Sequence, residues 1–258
     1  MNTPARVAGA DPAIIVALDF NEPATTLRLL EQLDPTACRV KVGKQLFTAC
    51  GPALVEKIVG KGFDVFLDLK FHDIPNTVAG AVRAATGLGV WMLNVHASGG
   101  LAMLQAAREA AYAATHTTTG AETHAETHTA TRNRPLLVGV TVLTSLGAAE
   151  LTALGVSDSP EAQVLRLATL CQQAGLDGVV CSAAETPALR AAMPQDFRLV
   201  TPGIRRPEDA SDDQQRILSP AEAIANGSNY LVVGRPITRA DSPAAALAAF
   251  NTAISGAA

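Results

Sequence analysis

The chain has 258 residues, enough for one large domain or two small ones, and 48% of it is hydrophobic, enough to fill a sizeable core. A net charge of −4 argues against a general nucleic-acid or anionic-membrane binder, while leaving room for a local positive site that holds an anionic ligand. No apolar run is long enough to span a bilayer, and Met1 to Asp11 lack the basic-then-apolar pattern of a signal peptide, so a cytoplasmic protein is expected.

Ala13 to Asp19 reads as a short strand ending in an acid, followed by a helix from Asn21 to Leu33 with Leu27, Leu30 and Leu33 on one stripe. Arg39 to Gly43 is a second strand, and Gly51 to Lys61 the next helix. The run from Val65 is the third strand, and Val78 to Leu88 the helix after it. Val90 to His96, Leu136 to Val142, Gly178 to Cys181, Arg198 to Thr201 and Tyr230 to Gly234 supply five more strands. Helical stretches at Leu101–Ala114, Ala148–Leu154, Pro160–Ala174, Pro187–Met193, Pro220–Asn226 and Pro243–Ile254 separate or follow them. Eight strands alternating with helices predict a single-domain (β/α)8 TIM barrel. The alternative, a doubly wound open sheet, usually has fewer strands, and no GxGxxG follows the first strand.

Residues 113–134 break the alternation. They are polar and low in complexity, with Ala-Glu-Thr-His occurring twice, and read as an inserted loop. His124 and His128 would share a helix face if the segment were helical, and could bind a metal with His116 or a glutamate; a solvated insertion without metal is the expectation. Cys38, Cys50, Cys171 and Cys181 form no CxxC pair and read as small hydrophobes in a reducing compartment.

The third strand carries the chemistry. Asp68 and Lys70 are two residues apart in an apolar run, so both point to one face while Leu67 and Leu69 point to the other. Two opposite charges on a buried strand are costly unless paired, and such clusters at strand ends usually mark function rather than a solvated salt bridge. Asp73 follows, then Pro75 and Asn76 in a loop, with Thr77 placed to cap the next helix. Asp19, Lys41, Asp68, Lys70, Thr144, Arg205 and Arg235 all fall at or beyond the C-terminal ends of strands, where a barrel builds its active site.

Val40-Lys41-Val42-Gly43 with Asp68-x-Lys70-x-x-Asp73-Ile74-Pro75-x-Thr77 resembles the bacterial type of the orotidine 5′-phosphate decarboxylase family. Asn94 to Gly100, Thr201-Pro202-Gly203-Ile204-Arg205 and Val233-Gly234-Arg235-Pro236 are further blocks similar to that family, in the expected order. The departures are the insertion and a somewhat different segment from Arg206 to Gln215. The resemblance implies a cofactor-independent decarboxylation of orotidine 5′-phosphate to uridine 5′-phosphate and CO2 in pyrimidine biosynthesis. It implies an alternating Lys41–Asp68–Lys70–Asp73 array, with Asp73 supplied by the second subunit of a homodimer and Lys70 protonating C6. Substrate contacts carried over are Asp19, Lys41 and Thr77 on the ribose and Thr144 on the pyrimidine. Arg205, Gln214, Gly234 and Arg235 are carried over around the phosphate.

Other readings stay open at this point. Thr144 or Ser145 could simply cap a helix. His72 and His96 read as structural or interface residues rather than catalytic ones. A Mg²⁺-dependent sugar-phosphate decarboxylase or aldolase shares a DxKxxD strand, and a silent phosphate-ligand binder could keep the barrel.

Overall fold

The structure, a computed structural model, describes residues 11–116, 134–206 and 218–255. In chain order the first elements are β1 (Ile14–Ala17), α1 (Pro23–Leu30), β2 (Arg39–Gly43), α2 (Lys44–Cys50), α3 (Pro52–Gly60) and β3 (Val65–Phe71). They continue with α4 (Pro75–Gly87), β4 (Met92–His96), α5 (Leu101–His116), β5 (Leu136–Val140), α6 (Ala148–Ala153), α7 (Pro160–Gln173) and β6 (Gly178–Val180). The rest are α8 (Thr186–Ala192), β7 (Arg198–Pro202), α9 (Pro220–Ala225), β8 (Tyr230–Val233), α10 (Arg235–Thr238) and α11 (Pro243–Ser255). The eight strands are all parallel and close in sequence order, β8 pairing back onto β1 through Ile15 and Val232. This is the predicted (β/α)8 barrel.

Strand alternation divides the core in two. Ile14, Val16, Val40, Val42, Leu93 and Leu231 face outward into the layer beneath the helices. Ile15, Ala17, Phe66, Met92, Val200 and Val232 fill the barrel interior. At the N-terminal end the interior is closed by a polar plug. The Arg39 guanidinium lies 4.0 Å from the Trp91 ring centroid and pairs with Asp11 and Asp64 at 2.5 and 3.1 Å. With one end plugged in this way, the opposite end is the open one, and the functional side chains collect there.

Three local expectations are corrected. The helix after β3 starts at Pro75 rather than Val78, because Pro75 takes the first helical turn, where its missing N–H costs nothing. Thr77 therefore lies inside that first turn, and Ile74, not Thr77, holds the cap position. The helix expected from Gly51 is preceded by α2, and Gly51, at φ 69°, is the break between the two. The short helix α10 at Arg235, only hinted at by Pro236, follows β8 directly.

The base of the 113–134 segment is tied to the barrel. Tyr112 lies between the Arg108 and Arg134 guanidinium groups, at 4.6 and 4.4 Å, and Arg134 pairs with Asp177 at 2.6 Å. Helix α5 runs on to His116, slightly past the expected start of the loop. His124 and His128 lie outside the described residues.

Candidate active site

β2 and β3 are neighbours with Gly43 opposite Asp68. Lys41 is paired with inward-facing Phe66, and side chains alternate along each strand, so Lys41 and Asp68 enter the barrel mouth from adjacent strands. Asp68 then holds two ammonium groups, Lys41 Nζ at 3.2 Å from Oδ2 and Lys70 Nζ at 2.5 Å from Oδ1. Lys41 also reaches Asp19 Oδ1, just beyond β1, at 3.4 Å. The result is an alternating Asp19–Lys41–Asp68–Lys70 chain within one subunit, each charge beside an opposite one.

Burial disfavours both inner charges, and pairing outweighs it. Desolvation would raise the Asp68 carboxyl, but Lys41, Lys70 and hydrogen bonds from Lys70 and Asn94 hold it below the ordinary carboxylate range. Desolvation would lower the Lys41 ammonium, but Asp68 and Asp19 hold it above the ordinary lysine range. Behind the array stands His96, its ring 5.3 Å from that of His72. Burial first, then His72, Lys44 and Lys70, lower the His96 pKa.

The charged groups form one wall of a cavity of about 180 Å³. Val140, Val142, Leu143, Val180 and Cys181 supply apolar or weakly polar lining, and Thr144 stands among them. The Cys181 thiol is buried and pushed up to about 12, chiefly by desolvation, so it presents an inert surface.

The structure brings Asp19, Lys41, Asp68, Lys70 and Thr144 together at this mouth. Gly234 is beside them: a Cβ there would sit 4.0 Å from Asp19 Oδ2, and Arg235 is the next residue, opening α10. Asp73 and Thr77 lie just past the end of β3 and are exposed. The Asp73 carboxylate accepts the Ile74 N–H at 2.7 Å, and among the described residues it forms no ion pair within its own chain. Arg205 follows β7, is only 5% exposed, and donates from Nη1 to the Ile204 carbonyl at 3.1 Å. Gln214 lies outside the described residues.

Two contributors had no role assigned from sequence. Gly43 leaves room for Lys41, since a Cβ at that position would lie 3.2 Å from Lys41 Nζ. Asn94, fully buried on β4, bonds to both Asp68 and Lys70. The signal for it was present: an amide in an otherwise apolar strand, in phase with inward-facing Met92.

Known proteins resemble this chain in both sequence and architecture. The profile of the orotidine 5′-phosphate decarboxylase / HUMPS family matches residues 12–250. An orotidine 5′-phosphate decarboxylase from Saccharophagus degradans is 54% identical over 237 residues, covering 92% of each chain. One from Pseudomonas aeruginosa is 56% identical over 236 residues, covering 92% of this chain and 94% of the other. The crystal structure of orotidine 5′-phosphate decarboxylase from Lactobacillus acidophilus superposes with a TM-score of 0.80 at 36% identity, covering 95% of this chain and 99% of that one.

Proposed function

Because the chain belongs to the orotidine 5′-phosphate decarboxylase / HUMPS family, we propose that the cavity at its barrel mouth is where orotidine 5′-phosphate is decarboxylated to uridine 5′-phosphate. The reaction belongs to pyrimidine biosynthesis and makes the enzyme a carboxy-lyase. The observation that carries the assignment of roles is the Lys41–Asp68–Lys70 contact chain facing an apolar wall.

The cavity is smaller than the roughly 300–1,000 Å³ of pockets that enclose a whole drug-sized ligand, so the pyrimidine fits inside while ribose and phosphate extend outward. Asp19, Lys41 and Thr77 would then meet the ribose and Thr144 the pyrimidine. Gly234 and Arg235 would meet the phosphate, with Arg205 and Gln214 on the segment that follows β7. Placing the ring against Lys70 brings the C6 carboxylate beside Asp68. The C6–carboxylate bond breaks, CO2 departs, and the electron pair remains on C6. The Lys70 ammonium stabilises that developing carbanion and gives it a proton, leaving a neutral amine that solvent reprotonates. Asp68 disfavours the ground-state carboxylate and fixes both lysines, so positioning and preorganised charge do the work.

Asp73 completes the array from the second subunit of a homodimer. Its exposed carboxylate beyond β3, beside Ile74 at 67% exposure, supports that role. The whole chain acts as one barrel domain carrying residues 113–134 as an insertion. A cytoplasmic setting fits its four free cysteines, three of them buried. No helix among the described residues is long and apolar enough to cross a membrane.

Incubation of the purified protein with orotidine 5′-phosphate tests the reading. The ultraviolet absorbance of the substrate should fall with turnover; a folded protein that leaves it unchanged contradicts the assignment.

A further inference from the structure

Leu67 pairs with Leu93 and Phe71 with Val95, so three residues of β3, Asp68 to Lys70, stand opposite the single residue Asn94 on β4. This is a bulge, and a bulge leaves backbone groups without ladder partners. It also puts Lys70 at φ 53°; among the described residues no other non-glycine has a positive φ. A side chain larger than glycine occupies that region only where its surroundings hold it there.

Asn94 supplies that hold. Its Oδ1 accepts the Lys70 backbone N–H at 2.8 Å, replacing the missing ladder bond. Its Nδ2 donates to Asp68 Oδ1 at 2.7 Å, the same oxygen that receives Lys70 Nζ at 2.5 Å. One fully buried amide therefore fixes both ends of the pair, the backbone of one residue and the carboxylate of the other. We infer that Asn94 is a positioning residue for the reaction, which sets where the Lys70 ammonium points by bridging the β3 bulge. The inference rests on the decarboxylase reading, because it assigns Asn94 to the aim of that reaction's proton donor.

The charged surroundings of the amide are Lys41 from β2 with Asp19 behind it, Asp68 and Lys70 from β3, and His96 from β4 with His72 and Lys44 beyond. Against that background two substitutions separate aim from packing. Asn94→Leu fills a similar space without either hydrogen bond. Its kcat should fall about 100-fold, the cost of misplacing a reacting group by about 1 Å, with KM near native. A kcat within about threefold of native overturns the inference.

Asn94→Asp keeps the acceptor for the Lys70 N–H but sets a second carboxyl against Asp68. Protonated, it can still donate; ionised, it repels. Its kcat should therefore be highest at acid pH and fall as pH rises through that ionisation, a limb the native enzyme lacks. A native-like pH profile overturns the inference, even if Asn94→Leu proves too unstable to assay.

Two readouts need no turnover: the ¹³C titration of the Asp68 carboxyl and hydrogen exchange at the Lys70 amide. In Asn94→Leu, or in Asn94→Asp above its new ionisation, the Asp68 pKa should rise. In Asn94→Leu the Lys70 amide should also exchange faster. No change in either counts against Asn94 whatever the substrate is. Absence of turnover in the native protein, by contrast, rejects only the decarboxylase reading.

Discussion

At Asp68, burial and charge pull in opposite directions and charge wins, because two lysines and an amide converge on one carboxylate. Its folded pKa lies below the ordinary value of about 3.9. Its contribution to stability is therefore complete above that pH and is lost as pH falls through the folded pKa. Lys41 acts at the other limit: with its pKa raised, its share is complete below about 10.4 and is lost as pH rises through the folded value. Asp68→Asn should lower unfolding free energy near neutrality by about 3 kcal/mol, the cost of leaving two buried ammonium groups without their carboxylate, and should flatten the loss of stability on the acid side. Denaturant titrations across pH measure both, and an unchanged acid slope would contradict the account. Asp68 and Lys70 were legible in sequence because an apolar strand has no other use for two charges on one face. Asn94 was legible as a buried amide but its role was not, because an amide tells nothing of its partners until the offset between β3 and β4 is known.

Among the elements, the sequence announced the strands and most helices through period and punctuation, and missed features set by how neighbours meet. Strict alternation predicts that Asp68 and Lys70 share a face, as they do. Their contact, however, is made across a bulge with a left-handed residue, which no single strand's pattern encodes. Helix α4 begins three residues before the start its apolar stripe predicts, because Pro75 reads as a loop marker as readily as a first-turn residue. Strand β2 carries a similar hidden constraint at Gly43. A methyl group there would stand 3.2 Å from Lys41 Nζ, while Asp19 and Asp68 hold that ammonium from two sides. Gly43→Ala should displace Lys41 by a few tenths of an ångström and lower kcat/KM about tenfold, a fraction of the loss expected for a 1 Å error. Its melting temperature should stay near native. Full activity would mean that Lys41 tolerates a looser placement than the contact implies.

At the scale of the whole molecule, one chain supplies Asp19, Lys41, Asp68 and Lys70, while Asp73 turns outward. In a twofold dimer each copy would lend its Asp73 to the other. Lys70→Ala and Asp73→Asn should each be nearly inactive alone. Mixed after dissociation and reassociation, they should regain activity, because each mixed dimer holds one unaltered site; no recovery would place Asp73 in its own chain's site or outside the chemistry. The barrel architecture was legible from eight alternating strand and helix signals, since the pattern of a closed parallel sheet repeats along the chain. The dimer rests on resemblance and on an exposed carboxylate, because symmetry partners leave little trace in a linear sequence.

If Lys70 delivers the proton to C6, Lys70→Ala removes the donor while leaving the pocket in place. Turnover of orotidine 5′-phosphate is followed by absorbance, and binding of uridine 5′-phosphate by calorimetry, on the same preparation. Turnover should be lost almost completely, with product binding largely retained. Turnover surviving near the native rate would contradict that role for Lys70.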